Sequence, residues 1–192
     1  MTDLEAVRAK PGKRERLVAA ACQLFHQQGV EMTTLADIAQ AADVPVGNIY
    51  YYFKTKDDLV GAVIDAYSVD LRTRLSSLDR HRTPKARLKA LVREQADQQE
   101  VAAQFGCPMG TLCSELDKRD DALERSAAEL LSFSVSWAEE QFRLMGRSDA
   151  RDLAVALVAA FQGVSLLTNT LRDPELMARE ARRLDRWIDS LA

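Results

Sequence analysis

The sequence is poor in the residues that build loops, disulfide scaffolds and metal centres. Glycine (8) and proline (5) are few for 192 residues, too few for an all-β or loop-rich fold. Three cysteines are an odd number, and Cys22, Cys107 and Cys113 lack the paired short spacings of a zinc site. Only two histidines, His26 and His81, accompany them. No metal and no cofactor are therefore expected, and a reduced, cytoplasmic setting is the simplest reading. The polar stretch 1–16 has no apolar core of the kind a signal peptide needs. The longest apolar run, 153–167, is broken by Gln162, Gly163 and Ser165 and is too short for a bilayer, so no membrane partner is expected. Charge of one sign is lacking too. Lys plus Arg number 26 and Asp plus Glu 29, which excludes a globally basic, histone-like protein. A 47% apolar content excludes a highly charged disordered chain.

What is abundant is Ala, Leu, Arg, Asp and Glu, a composition that favours helix. The length suits one compact domain or two small ones. Periodicity and stop signals predict about nine helices and no strand. The first covers about 13–28, with Leu17, Ala21, Leu24 and Phe25 on one face and Gly29 as its stop. Thr34 and Asp37 have capping-box spacing and open a short second helix. Asp43 and Val44 form a tight turn, and Pro45 opens a third helix over about 46–53. Thr55 and Asp58 repeat the capping box ahead of a long helix reaching about residue 79. Thr83 and Pro84 restart the chain for a helix to about Gln104, and Gly106-Cys107-Pro108 breaks it. Helices over about 109–117, 121–145, 149–172 (capped by Ser148) and 174–191 complete the prediction.

Residues 34–53 carry the most information. Two short helices joined by a four-residue turn describe a helix-turn-helix. Ala39 and Ala42 allow the helices to cross closely, Val44 fills the wedge, and Ile49 and Phe53 anchor the second helix. Val46, Gly47, Asn48, Tyr51 and Tyr52 are left to point outward. Such a face suits DNA. Asn48 matches an adenine edge, the tyrosines reach phosphates, sugars or a thymine methyl, and Lys54 and Lys56 can clamp the backbone. Arg8, Lys10, Lys13, Arg14 and Arg16 crowd the first helix and its lead-in and can grip neighbouring phosphates. An αα-hairpin with surface tyrosines is the plainer alternative.

The stretch TTLADIAQAADVPVGNIYYYFKTKDDL, residues 33–59, resembles the DNA-binding region of the TetR family of bacterial transcriptional regulators. Thr34, Ile38-Ala39, Val44, Ile49-Tyr50, Phe53, Lys56 and Leu59 carry the resemblance, with Leu24-Phe25 and Gly29 before them. Asp43 stands where the family usually has Gly, and Pro45 replaces the usual polar cap of the recognition helix. The resemblance implies an all-α homodimer that binds double-stranded operator DNA. It implies a helix-turn-helix domain over 10–56, linked through helix 57–79 to an effector-binding and dimerisation domain over 80–192. By motif position it assigns Thr34, Val46, Gly47, Asn48, Tyr50, Tyr52 and Lys56 to DNA contact.

The remaining helices predict a small-molecule effector site and a dimer face. Phe105, Met109, Phe133, Trp137, Phe142 and Phe161 are each explained singly by a filled core. As a set they point to a cavity for an apolar effector, and charged groups to orient one are scarce in these helices. Cys107 has two readings: a thiol activated at a helix start, making the chain a redox or electrophile sensor, or a small hydrophobe in a turn. The helix over 149–172 is apolar almost all round and needs a second surface. Leu157, Phe161 and Val164, with Leu184, Trp187 and Ile188 of the last helix, are the expected dimer contacts, and Gly163, Ala156, Ala159 and Ala160 would permit close packing. No nucleophile-and-base or paired-carboxylate arrangement supports an enzyme. A helical lipid carrier that ignores DNA is the remaining alternative.

Overall fold

The computed structural model describes residues 11–117, 119 and 122–191. Every regular element among them is helical. They are α1 (Lys13–Gln28), α2 (Leu35–Ala41), α3 (Val46–Tyr52), α4 (Lys56–Ser77), α5 (Pro84–Ala96), α6 (Gln99–Phe105), α7 (Pro108–Leu116), α8 (Ala122–Leu144), α9 (Ala150–Leu171) and α10 (Glu175–Ser190). A 3-10 turn, Leu78–Arg80, extends α4.

Both expected capping boxes form. The amide of Asp37 donates to Thr34 Oγ1 at 3.1 Å while the Thr34 amide donates to Asp37 Oδ2 at 2.9 Å. Thr55 and Asp58 exchange the same pair of bonds at 3.0 and 2.9 Å. Two expectations change. The helix drawn from Pro84 to Gln104 is two helices, because the chain changes partner at Asp97 and Gln98: α5 packs on α10 and α6 on α9. Ser148 is not the cap of α9; Asp149 is the N-cap residue, and its carboxylate is held by Arg147 in a two-point ion pair at 2.9 Å. Pro45 is the N-cap of α3, directly before the helix as expected, and it offers no side-chain bond there.

The turn between α2 and α3 depends on Asp43, whose φ of 52° lies in the left-handed region that Asp tolerates better than most residues. Arg16 reaches across from α1 and secures that turn, donating to Ala42 O at 2.9 Å and Asp43 O at 3.2 Å.

One apolar cluster joins Leu17, Phe25, Ile38, Ile49, Phe53 and Leu59 of the first four helices. It continues without a break into Leu112 and Leu116 of α7 and Leu130 of α8. The first three helices therefore rest on a floor made by later ones. Each such side chain, fully buried, contributes about 1.5–3 kcal/mol. A second cluster holds Leu88, Val92, Phe142, Leu157, Leu184 and Ile188, with Phe142 edge-on to Trp187 at 5.9 Å.

That second cluster corrects the expected dimer contacts. Leu157, Leu184 and Ile188 are at most 1% exposed and Val164 is buried, so these side chains pack the chain's own core. Phe161 and Trp187 are half-buried against the same core. The open face of α9 is instead Val155, Ala159, Gly163, Leu166, Leu167 and Leu171, spaced at three and four residues. By length and composition α9 could cross a membrane, which the interrupted run 153–167 had not suggested. Its opposite face, with Ala154, Leu157 and Thr168, is buried within this fold.

Candidate nucleic-acid interface and inner cavity

The seven residues of α3 differ in how far the fold covers them. Ile49 is fully buried and Phe53, just past the helix, is 3% exposed; together they fix the helix against α1, α2 and α4. Val46, Tyr50 and Tyr51 stand in solvent at 46%, 50% and 78% exposure, beside exposed Gly47. Exposed aromatic and branched side chains held on a rigid helix form a surface able to enter a groove. Asn48 and Tyr52 turn out half-buried rather than outward-pointing. Tyr52 packs on the core cluster with its ring edge against Tyr51 at 5.0 Å. A strictly outward face was too generous: on a short helix tucked into the fold, residues flanking the anchor positions are partly covered.

The expected phosphate grips divide as well. Lys13 and Arg14 are exposed, the latter with its guanidinium 5.3 Å from the Phe53 ring. Arg16 is not free for phosphate because it secures the α2–α3 turn. Arg8 and Lys10 lie outside the described residues. Lys54 donates to Tyr50 O at 2.8 Å, placing a cation at the carbonyl end of α3. Lys56 donates to Glu31 O at 3.1 Å. Thr34 keeps its hydroxyl in the capping box, donating to Asp37 Oδ2 at 2.7 Å, and that bonding holds the Asp37 carboxyl below its usual range.

A cavity of about 610 Å³ opens further along the molecule, between α4, α5, α7 and α9. Of the expected effector contacts, Cys107, Met109 and Phe161 line it. Phe105, Phe133 and Trp137 do not. Phe105 stacks edge-on to His26, Phe133 lies under the Arg72 guanidinium at 4.5 Å, and Trp137 packs between two apolar clusters. The walls also hold residues that sequence reasoning missed: Leu71, Arg74 and Leu75 of α4, Glu94 of α5, Ser165 of α9, and His26. The expected scarcity of charge is overturned, since Asp70, Arg74, Glu94 and Asp97 all contribute to the lining. No local pattern marks these residues in the sequence. They converge only because α1, α4, α5 and α9 meet around one space.

Cys107 is the N-cap of α7, and its sulfur accepts from the Gly110 amide at 3.4 Å and Gln162 Nε2 at 3.8 Å. Cys113 donates to Ala127 O at 3.2 Å, and burial pushes its thiol up to about 11. Burial does the same to Cys22, and Tyr67, whose hydroxyl donates to Cys22 O, is pushed well above its usual value.

A helix-turn-helix with its second helix anchored by apolar residues and its outer face open, set on a helical body that encloses a cavity, defines a DNA-binding transcription regulator. Comparison with known proteins agrees. The family of bacterial regulatory proteins described as the tetR family matches residues 17–63. An HTH-type transcriptional regulator from the lacX 3' region of Lactococcus lactis subsp. lactis is 30% identical, over 83% of this chain and 85% of its own. The HTH-type transcriptional repressor DhaR of Mycobacterium sp. (strain GP1) is 31% identical, over 80% of this chain and 78% of its own. A TetR transcriptional regulator from Legionella pneumophila shares the fold with a TM-score of 0.84 at 19% identity, covering 93% of this chain and 98% of that one. The chain belongs to the TetR family of transcriptional regulators and is not an enzyme.

Proposed function

We propose that the protein is a ligand-responsive repressor that binds a palindromic operator as a homodimer in the cytoplasm and leaves it when a mainly apolar effector occupies the cavity. The exposed face of α3, with Tyr51 78% in solvent on a helix locked by buried Ile49, carries the DNA half of this reading. Residues 10–56 serve as the reading unit, 57–79 as the link and 80–192 as the effector and dimer unit. Val46, Gly47, Tyr50 and Tyr51 lead the contacts, with Asn48, Tyr52, Thr34, Lys54 and Lys56 around them. The name of DhaR, a repressor, supports the sign of the response.

The apolar face of α9, with Val155, Leu166, Leu167 and Leu171 exposed, supports pairing of two copies. Two-fold symmetry of the protein then calls for two half-sites of matching symmetry. The effector releases DNA by binding more tightly to the conformation whose reading helices are misplaced for the operator. Fluorescence anisotropy on the DNA beside the protein's own gene, at several salt concentrations and against a scrambled duplex, tests the reading. Tight, selective binding with a steep salt slope supports it. Equal, weak binding to both duplexes, followed by failure to select any sequence from random DNA, overturns it.

A further inference from the structure

We infer that the cavity takes an amphipathic molecule with one acidic group, and that Arg74 is the counter-ion that selects it. The inference rests on the ligand-responsive reading above and adds the chemistry of the ligand. Arg74 stands on α4 in the cavity wall between Leu71 and Leu75, with Leu91, Met109 and Phe161 supplying apolar surface around the same space. Its guanidinium enters no ion pair among the described residues, and its Nε is buried with no hydrogen-bond partner. An arginine fork without an ion pair in a mainly apolar wall is matched best by a carboxylate, which accepts two parallel N–H bonds at once. With no acid among the described residues paired to it, the Arg74 guanidinium leaves the charge on this wall for a ligand to neutralise.

Ser165 on α9 is a second polar group open to the cavity. The residue is 5% exposed, lines the space and makes no hydrogen bond within the described residues. It can hold the second oxygen of an acid or a hydroxyl further along the ligand.

The acidic residues of the lining argue for one acid and against several. Glu94 is engaged by Arg80 at 3.4 Å. Asp70 and Asp97 are exposed, so they form a solvated acidic rim. A cationic ligand would leave that water only to meet Arg74 inside. A ligand with two or three acids would bring its surplus charge against the rim. A volume of about 610 Å³ suits a body of drug size, larger than a simple organic acid.

Three probes of equal chain length, decanoate, decanol and decylamine, separate these possibilities by isothermal titration calorimetry on the full chain. Decanoate is expected to bind at least ten-fold more tightly than decanol, with decylamine weakest. Arg74→Gln should bring decanoate to the level of decanol, and Arg74→Lys should retain part of the preference. Thermal melting of the free variants checks that they fold. Should Arg74→Gln fail to fold, the head-group order on the unaltered chain and the Arg74→Lys comparison still decide. Preference for decylamine, an acid preference that survives Arg74→Gln, or binding of none of the three overturns the inference. Anisotropy on operator DNA with the same probes separates this from the wider reading. Arg74-dependent decanoate binding that leaves DNA affinity unchanged upholds the ligand chemistry and sinks the effector role. Release of DNA by decanol or decylamine alone does the reverse.

Discussion

The carboxylate of Glu115, near the end of α7, accepts the backbone amide of Val30 in the α1–α2 loop at 2.7 Å, and the Glu31 amide at 3.4 Å. The other end of α7 is Cys107 and Met109, in the cavity wall. One short helix therefore touches both the cavity and the loop that leads into the helix-turn-helix. Just past α7, Arg119 adds a two-point ion pair to Asp57 in the first turn of α4, at 3.1 and 2.7 Å.

Glu115→Ala leaves the Val30 amide, in a part-buried loop, without its acceptor. A charge-assisted bond of this kind is worth about 1.5–3 kcal/mol. The variant should melt several degrees lower and bind operator DNA more weakly, because the entry to α2 is no longer fixed. Glu115→Gln keeps an acceptor oxygen and should lose much less. Melting curves and anisotropy on the same preparations check both. A Glu115→Ala protein with unchanged melting and affinity would remove this contact from the coupling between cavity and reading unit.

The DNA-facing half of the molecule was legible in the sequence and the cavity was not. Capping boxes at Thr34 and Thr55 are local: donor and acceptor lie three residues apart, so spacing alone announces them. Ile49 and Phe53 as anchors follow from a period of four. Arg16 misled, because a basic residue on a first helix looks like a phosphate grip until the turn at residues 42–43 is brought against it. Arg74 and Ser165 were invisible because their meaning depends on four helices meeting. The exposed apolar face of α9 was half legible. Its all-round apolarity required two partner surfaces, but which side faces inward is set by α6, α8 and α10, and Leu157 and Leu166 differ only in that.

Tyr51 separates affinity for DNA from stability. At 78% exposure it contributes little to the fold. Tyr51→Ala should leave the melting temperature within the change of about 0.5 kcal/mol usual for surface substitutions, and weaken operator binding about ten-fold or more. Ile49→Ala, by contrast, empties a fully buried site and should cost about 2–5 kcal/mol of stability. Melting by circular dichroism beside anisotropy distinguishes the two. Loss of stability in Tyr51→Ala, or no loss of affinity, would contradict the assignment.

Alkaline pH should destabilise the protein through its buried thiols. In the folded chain burial pushes Cys22 and Cys113 up to about 11, whereas an unfolded thiol ionises near 8.5. Above that lower value the unfolded chain releases protons that the folded chain keeps, so stability falls as pH rises from about 9 towards 11. Cys22→Ala with Cys113→Ala should lessen the fall in melting temperature across this window, leaving the part that buried Tyr67 adds above about pH 10, even if the double variant starts from a lower value. A slope unchanged by the double substitution would place the alkaline sensitivity elsewhere.

The two faces of α9 give opposite predictions for leucines nine residues apart. Leu166 is 67% exposed and Leu157 fully buried. Leu166→Glu places a charge on the outer apolar face at no cost to the protomer's core, and two-fold pairing would set like charges against each other or against apolar surface. The variant should elute as a folded monomer and lose cooperative operator binding, while its helical signal stays. Leu157→Ala should lower the melting temperature by the equivalent of about 2–5 kcal/mol and leave the association state of the folded fraction unchanged. Sedimentation velocity on both variants reads the difference directly. A dimeric Leu166→Glu protein would mean that this face is not where two copies meet, and the unburied stripe of Val155, Leu166, Leu167 and Leu171 would then need a different partner.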